Sequence, residues 1–303
     1  MSAPAPPLPT LAGPAPARGK PRGPVALLRR AGFAALVVLV VGVTFFPVYW
    51  MVLSAIQPAA YSLHYPPPLW PRGIDLAPFA ALFGKQPIGL WLLNSAIVSG
   101  ITTAICVVLA VLGAYALVLG SWAGKGTFAG FLLVTQMLPE ALIVVPIFRM
   151  FTDVPFVGSD LRNNLPALAL IDAAFILPIC VWVLKNMFDT IPPELREAAT
   201  VDGAGPFRAL FQVLLPLAIP GVVAVGVVAF FYAWNEYLFA QLMVNAKGLY
   251  PATVGLGSMK TMLDTPIEQV LAAGLLFAVP PVVFYVVLQR SIVAGITAGA
   301  VKG

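Results

Sequence analysis

From Ala31 to Ile56 the chain runs for 26 residues without a single charged side chain. A helix of about 20 apolar residues is enough to cross a bilayer, whereas the apolar part of a cleavable signal is only about 7–15 residues long. The run therefore reads as a retained membrane span, and it constrains everything that follows. Five further apolar runs have helical length: Gly89 to Leu119, Thr127 to Phe151 with interruptions at Pro139 and Pro146, Leu165 to Phe188, Leu217 to Val244 and Val270 to Val293. The expected fold is an all-α integral membrane protein with six transmembrane helices. Composition agrees, because 60% of residues are hydrophobic and only 10% charged, against about 25% charged in soluble domains. Cys106 and Cys180 both fall inside apolar runs, where they act as small hydrophobes, so no disulfide framework is indicated.

Residues 1–30 are rich in Pro and Ala and cannot build a core, so they are expected to form a disordered tail ahead of a membrane domain spanning 31–303. The formal charge of +5 is not gathered into a basic patch with interleaved aromatics, which argues against nucleic acid. It is better read as topology. With the N-terminus inside, the inner side holds Arg18, Lys20, Arg22, Arg29, Arg30, Lys125, Lys185, Arg196, Arg208, Arg290 and Lys302, eleven of the seventeen basic residues. The outer side holds Arg72, Lys85, Arg149, Arg162, Lys247 and Lys260. Both termini are accordingly expected in the cytoplasm. Gly100, Ala104, Ala110, Gly113 and Ala114 on the second helix are small enough to admit a close helical neighbour in lipid. The Gly124-Lys125-Gly126-Thr127 turn has a superficial likeness to a phosphate-binding loop, but Leu119 stands where the leading glycine is needed.

The longest charged interruption lies at 189–216, which the charge count puts on the cytoplasmic side. Pro192-Pro193 followed by Glu194 suits a helix start, and Gly203 and Gly205 supply the backbone freedom that ends one. Asp202 is unfavourable at a helix C-terminus and is expected to cap a second helix beyond the glycines. Two short helices set at an angle follow, with Ala198 and Ala199 small enough to let a partner surface approach. Glu197-Ala-Ala, Asp202-Gly203 and Leu215-Pro216 at this spacing resemble the EAA signature of ABC-importer permeases. Gln136-Met-Leu-Pro-Glu140, Trp234-Asn-Glu-Tyr237, Pro251-Ala-Thr-Val-Gly255 and the tail from Gly295 resemble, more narrowly, the smaller permease subunit of maltose-type carbohydrate importers. The resemblance implies a type I importer architecture in a bacterial or archaeal cytoplasmic membrane. It also implies a second homologous permease subunit, an extracytoplasmic solute-binding protein, and two cytoplasmic ABC ATPase subunits that bind ATP and Mg. Glu197, Ala198, Ala199, Asp202 and Gly203 would be the ATPase-coupling residues. The chain itself would bind no cofactor and catalyse no reaction.

Polar residues within the spans are costly at bilayer depth and are expected to face a polar cavity or one another. Glu140, Asp172, Asn235 and Glu236 stand out. Carboxylates and amides accept several hydroxyl hydrogen bonds, and Tyr232, Trp234, Tyr237 and Phe239 offer flat apolar faces, a mixture suited to a sugar. Glu140, Asp172, Tyr232, Asn235, Glu236 and Phe239 form the candidate substrate pathway. The alternative is that Glu140 and Glu236 satisfy backbone groups freed near Pro139 or pair with the partner subunit. Glu140 and Glu236 are placed about ten residues from the outer helix ends, or roughly 15 Å deep at 1.5 Å per residue. No Lys or Arg falls in a helix core, so a neutral solute is favoured over a strongly anionic one such as a glycerol phosphate. A polyol importer and a membrane-embedded enzyme using the intramembrane carboxylates are the rival readings. His64, in the outer loop beside Tyr65, reads as an interfacial residue.

Overall fold

The computed structural model describes residues 24–62, 64, 66, 68–120, 122–152, 160–260 and 266–300. The expected tail lies outside the described residues as far as residue 23. From Pro24 the chain is helical, so Arg29 and Arg30 ride on exposed first turns of a helix rather than in a tail. This helix, α1 (Pro24–Ile56), keeps Pro47 inside it. It is apolar on every side, the pattern of a helix whose solvent is lipid. By internal contacts the chain divides after Trp50 into two units.

The second unit contains α2 (Ala77–Lys85), α3 (Ile88–Val118), α4 (Lys125–Thr135), α5 (Glu140–Thr152), α6 (Leu165–Phe188), α7 (Pro193–Val201), α8 (Pro206–Leu217), α9 (Ile219–Asn235), α10 (Leu238–Met243), α11 (Ala252–Lys260) and α12 (Ile267–Ala300). There is no strand among the described residues. Four helices, α1, α3, α6 and α12, are long and apolar enough to span, and the bent pairs α4–α5 and α8–α9 raise the number to six if each pair is one span.

The span from Thr127 to Phe151, expected to be interrupted by its prolines, and the span from Leu217 to Val244, expected to be continuous, are both broken. The expected helix from Thr127 to Phe151 is two helices meeting at 101°. Pro139 lacks an N–H and disfavours helical geometry at Leu138, so α4 stops at Thr135 and α5 restarts at Glu140. Between α8 and α9 the bend is 81°. Pro220 cannot donate to the carbonyl of Pro216, and the N–H of Ala218 is shared between the carbonyls of Leu214 (3.0 Å) and Leu215 (3.1 Å). Leu210–Leu214 of α8 form a π-helical turn. The span expected to run unbroken to Val244 ends at Asn235 and restarts at Leu238. By contrast, α6 has the expected ends, with Asn164 as a side-chain N-cap on the Ala167 N–H (3.0 Å) and Pro166 in the first turn.

The central packing is α3 against α6, with α9 across both. Ala110 and Ala114 are fully buried, and a Cβ on Gly113 would lie 3.1 Å from Val181 of α6. The other half of the small-residue stripe does not pack: Ala104 is exposed and a Cβ on Gly100 would meet nothing within 4 Å. Thr102 donates to the Ala169 carbonyl across this interface (3.1 Å). At Gly221, α9 presses on α6 so closely that a Cβ would be 2.7 Å from Met187 Cγ. The connection before α11 is stitched to α3, as Trp91 Nε1 donates to Lys247 O (2.8 Å) and Asn94 Nδ2 to Gly248 O (2.9 Å). A Cβ on Gly255 would fall 2.2 Å from the fully buried Trp91 ring, so position 255 admits glycine alone.

Candidate functional site

Two groups of polar residues emerge from this frame. The first is the 189–216 segment. Helix α7 starts behind Pro192, has Glu194 in its first turn and buries none of its residues. Its end is a Schellman motif: the Ala204 N–H reaches Ala199 O (2.9 Å) and the Gly203 N–H reaches Thr200 O (3.0 Å), with Gly203 at φ +80°. Asp202 is the C-cap of α7, not the N-cap of the next helix. That second position belongs to Gly205, without a side-chain cap, because a left-handed Gly203 and an extended Gly205 leave the 202 side chain behind the turn. Glu197, Ala198 and Asp202 are exposed and Ala199 half-buried.

Two residues that the sequence did not single out tie this segment to the membrane core. Arg196 donates through Nη1 to the Val118 carbonyl at the end of α3 (2.9 Å), and the Tyr115 hydroxyl of α3 donates to Pro206 O (2.7 Å). Arg196 entered the sequence argument only as one positive charge among eleven. Its use as a carbonyl ligand has a physical basis, since a cation complements the C-terminal end of a helix. Leu195, Val201, Phe207 and Phe211 remain exposed, while the side chains of Glu194, Glu197 and Asp202 make no hydrogen bond or ion pair among the described residues.

The second group surrounds Tyr232 of α9. Its hydroxyl donates to Glu140 Oε1 (2.6 Å), and Glu140, Asp172 and Glu236 all lie within electrostatic reach of it. Three carboxylates far apart in sequence thus lie about Tyr232, and the attachment of Glu140 and Glu236 differs from the expectation of mid-helix positions. Glu140 is the first residue of α5, and Glu236 occupies the break after α9. Glu236 uses both oxygens locally, Oε1 accepting from the Phe239 N–H (2.7 Å) and Oε2 from the Ala240 N–H (2.9 Å), so it caps α10. Both acids thus meet positive helix ends, which favour them. Asn235 is exposed and its Nδ2 donates to Phe231 O (2.7 Å), leaving Oδ1 free. Phe239 is buried and stacks on Phe175, ring centres 5.0 Å apart. Thr253 of α11, unremarked in the sequence, donates to the Glu236 carbonyl (2.7 Å).

Asp172 differs from the others. It is fully buried on α6, and neither carboxylate oxygen has a hydrogen-bond partner among the described residues. The ion pairs found among the described residues, Arg162 with Asp160 and Lys185 with Asp189, leave the cluster untouched. Outside the spans, the Asp160 carboxyl is held below its ordinary range by hydrogen bonds from the Arg162 side chain and backbone. No group of three His, Cys, Asp or Glu residues suited to a metal ion occurs among the described residues.

Four to six apolar spans, two of them broken beside acidic residues, joined to an exposed helix–turn–helix, define a multi-pass membrane protein. The chain belongs to the family described as the binding-protein-dependent transport system inner membrane component, which matches residues 107–297. It is 32% identical over 278 residues to the inner membrane ABC transporter permease protein YcjP of Escherichia coli (strain K12), covering 91% of this chain and 98% of that one. It is 33% identical over 278 residues to the trehalose transport system permease protein SugB of Mycobacterium tuberculosis (strain CDC 1551 / Oshkosh), covering 91% and 99%. A chain of a bacterial ABC transporter involved in the import of the acidic polysaccharide alginate shares the fold, with a TM-score of 0.76 at 19% identity over 90% of this chain and 99% of that one.

Proposed function

We propose that the chain moves a neutral carbohydrate, of disaccharide or oligosaccharide size, across the cytoplasmic membrane as one of two permease subunits of an ABC importer. The observation that carries this reading is the Tyr232–Glu140 hydrogen bond with Asp172 and Glu236 in electrostatic reach of the same side chain, and with no basic side chain paired to the three acids among the described residues. Half-buried Glu140, with one oxygen beyond the Tyr232 bond, offers an acceptor to hydroxyl groups, and the acids together disfavour phosphate and carboxylate groups. The trehalose permease among its relatives supports a sugar as cargo. An extracytoplasmic solute-binding protein delivers the cargo, and both termini face the cytoplasm. Glu197, Ala198, Ala199, Asp202 and Gly203 dock into a partner ATPase of a pair that binds ATP and Mg. Their exposure, the apolar side chains around them and the absence of internal partners support that role. ATP-driven closure of the pair moves the 189–216 segment, and its ties to α3 through Arg196 and Tyr115 pass the motion into the membrane core.

The test is uptake of radiolabelled trehalose and maltose by cells, with tagged protein recovered for its partners. Glu197→Ala should lower uptake about tenfold or more, while changing the stability of the solubilised subunit by no more than about 0.5 kcal/mol. A tagged chain that never co-purifies with an ATPase, together with unchanged uptake by Glu197→Ala, would sink the reading.

A further inference from the structure

A cavity of about 570 Å³ lies between α9, α11 and α12. It falls in the range of about 300–1,000 Å³ typical of small-ligand sites. Four aromatic side chains wall it, Phe231 and Trp234 from α9 and Phe277 and Tyr285 from α12, and Asn235 and Thr253 supply its polar edge. The walls are fixed in advance. Trp234 Nε1 donates to the Phe277 carbonyl (3.2 Å), which locks the indole against α12, and the same indole stacks on Phe230 with centres 5.6 Å apart. At the polar edge the Asn235 amide has spent its N–H on Phe231 O and keeps Oδ1 as an acceptor. Thr253 holds the Glu236 carbonyl, so cavity and carboxylate cluster share one backbone break.

We propose that this cavity is a second saccharide subsite on this chain, taking one pyranose ring against the aromatic walls with a ring hydroxyl donating to Asn235 Oδ1. Flat aromatic faces match the apolar C–H faces of a sugar ring, and an amide acceptor at the rim selects a hydroxyl-bearing ligand over a hydrocarbon. An acyl chain would fill the same volume but leave that acceptor unused, and it would gain nothing from continuity with the polar cluster. The inference rests on the carbohydrate reading of the preceding section.

The experiment uses the full transporter complex in detergent and in cells. Saturation-transfer NMR with trehalose and maltose reads ring-proton contact directly, and radiolabelled uptake reads the cycle. Asn235→Leu removes the acceptor and Ala278→Phe fills the cavity from α12. Both should retain the partner subunits and cut saturation transfer, and Asn235→Leu should raise KM for uptake about fivefold, the worth of one neutral hydrogen bond. Saturation transfer and KM equal to wild type in both variants would overturn the subsite while leaving the importer reading intact. Phospholipid that co-purifies with wild type and is lost from Ala278→Phe, with sugar signals unchanged, would also overturn it and make the cavity an acyl-chain site. If wild type takes up neither sugar and shows no saturation transfer from either, the carbohydrate reading falls first and the subsite with it. A variant too unstable to assemble is replaced by Tyr285→Leu, which removes one aromatic wall at similar volume and must cut saturation transfer for the subsite to stand.

Discussion

The 189–216 segment and the carboxylate cluster are both polar exceptions in an apolar chain, yet they treat their charges in opposite ways. In the first, Glu194, Glu197 and Asp202 stand in water without internal partners, and nothing is lost by that, because water hydrates them. In the second, Glu236 spends both oxygens on backbone N–H groups and Glu140 takes a tyrosine hydroxyl. Lipid provides no substitute for a missing partner. Exposure therefore separates function from stability in the segment and joins them in the cluster. Asp172 is the exception inside the exception, a buried carboxylate with no hydrogen-bond partner among the described residues.

Substitutions can break or sharpen this contrast. Glu236→Ala strips two capping bonds from half-buried backbone and should destabilise the solubilised subunit by about 2–3 kcal/mol. A loss as small as that expected for Glu197→Ala would erase the distinction. Asp172→Leu exchanges an unpartnered buried carboxylate for an apolar group of similar size and should raise stability by about 2 kcal/mol, while uptake falls. Lower stability would mean that the carboxylate has a structural partner. Arg196→Met deletes the bond to Val118 O, and a loss of about 1.5 kcal/mol should be confined to α7. Amide hydrogen exchange would show 193–201 opening faster with α6 protected as before. Gly203→Ala pays the strain of a left-handed residue, about 1 kcal/mol. Since a Cβ there meets nothing within 4 Å, any larger effect on uptake belongs to the docked state.

Much of this was legible in the sequence, and the exceptions have physical reasons. The ends of α6 could be read because an Asn-Leu-Pro start and a charged finish bracket a uniform apolar run. The convergence of the three acids followed from the cost of leaving them in lipid. Of the two interruptions, at 136–139 and 236–237, the apolar pattern hid the second, since apolar content fixes how much chain lies in lipid but not whether it is continuous. Pro139 marked the first break, but nothing comparable marks the second, where the agent is the Glu236 side chain itself. Asp202 was misplaced because cap preference was weighed residue by residue, whereas the left-handed Gly203 assigns the residue before it to the helix that ends. The Arg196 and Tyr115 ties join positions 78 and 91 residues apart, and no local pattern announces such pairs.

The near-right-angle bend at Ala218 has a mechanical consequence. Because α8 meets α9 at 81°, a thrust along α8 arrives almost broadside on α9 and cannot drive it as a piston. The tight approach at Gly221, against Met187, supplies a fulcrum close to the struck end. At about 1.5 Å per residue the short arm from Ile219 to Gly221 measures about 3 Å, and the long arm from Gly221 to Asn235 about 21 Å. An oar with those proportions turns a displacement of a fraction of an ångström at one end into a sweep of several ångströms at the other, where Glu236 and Asn235 sit.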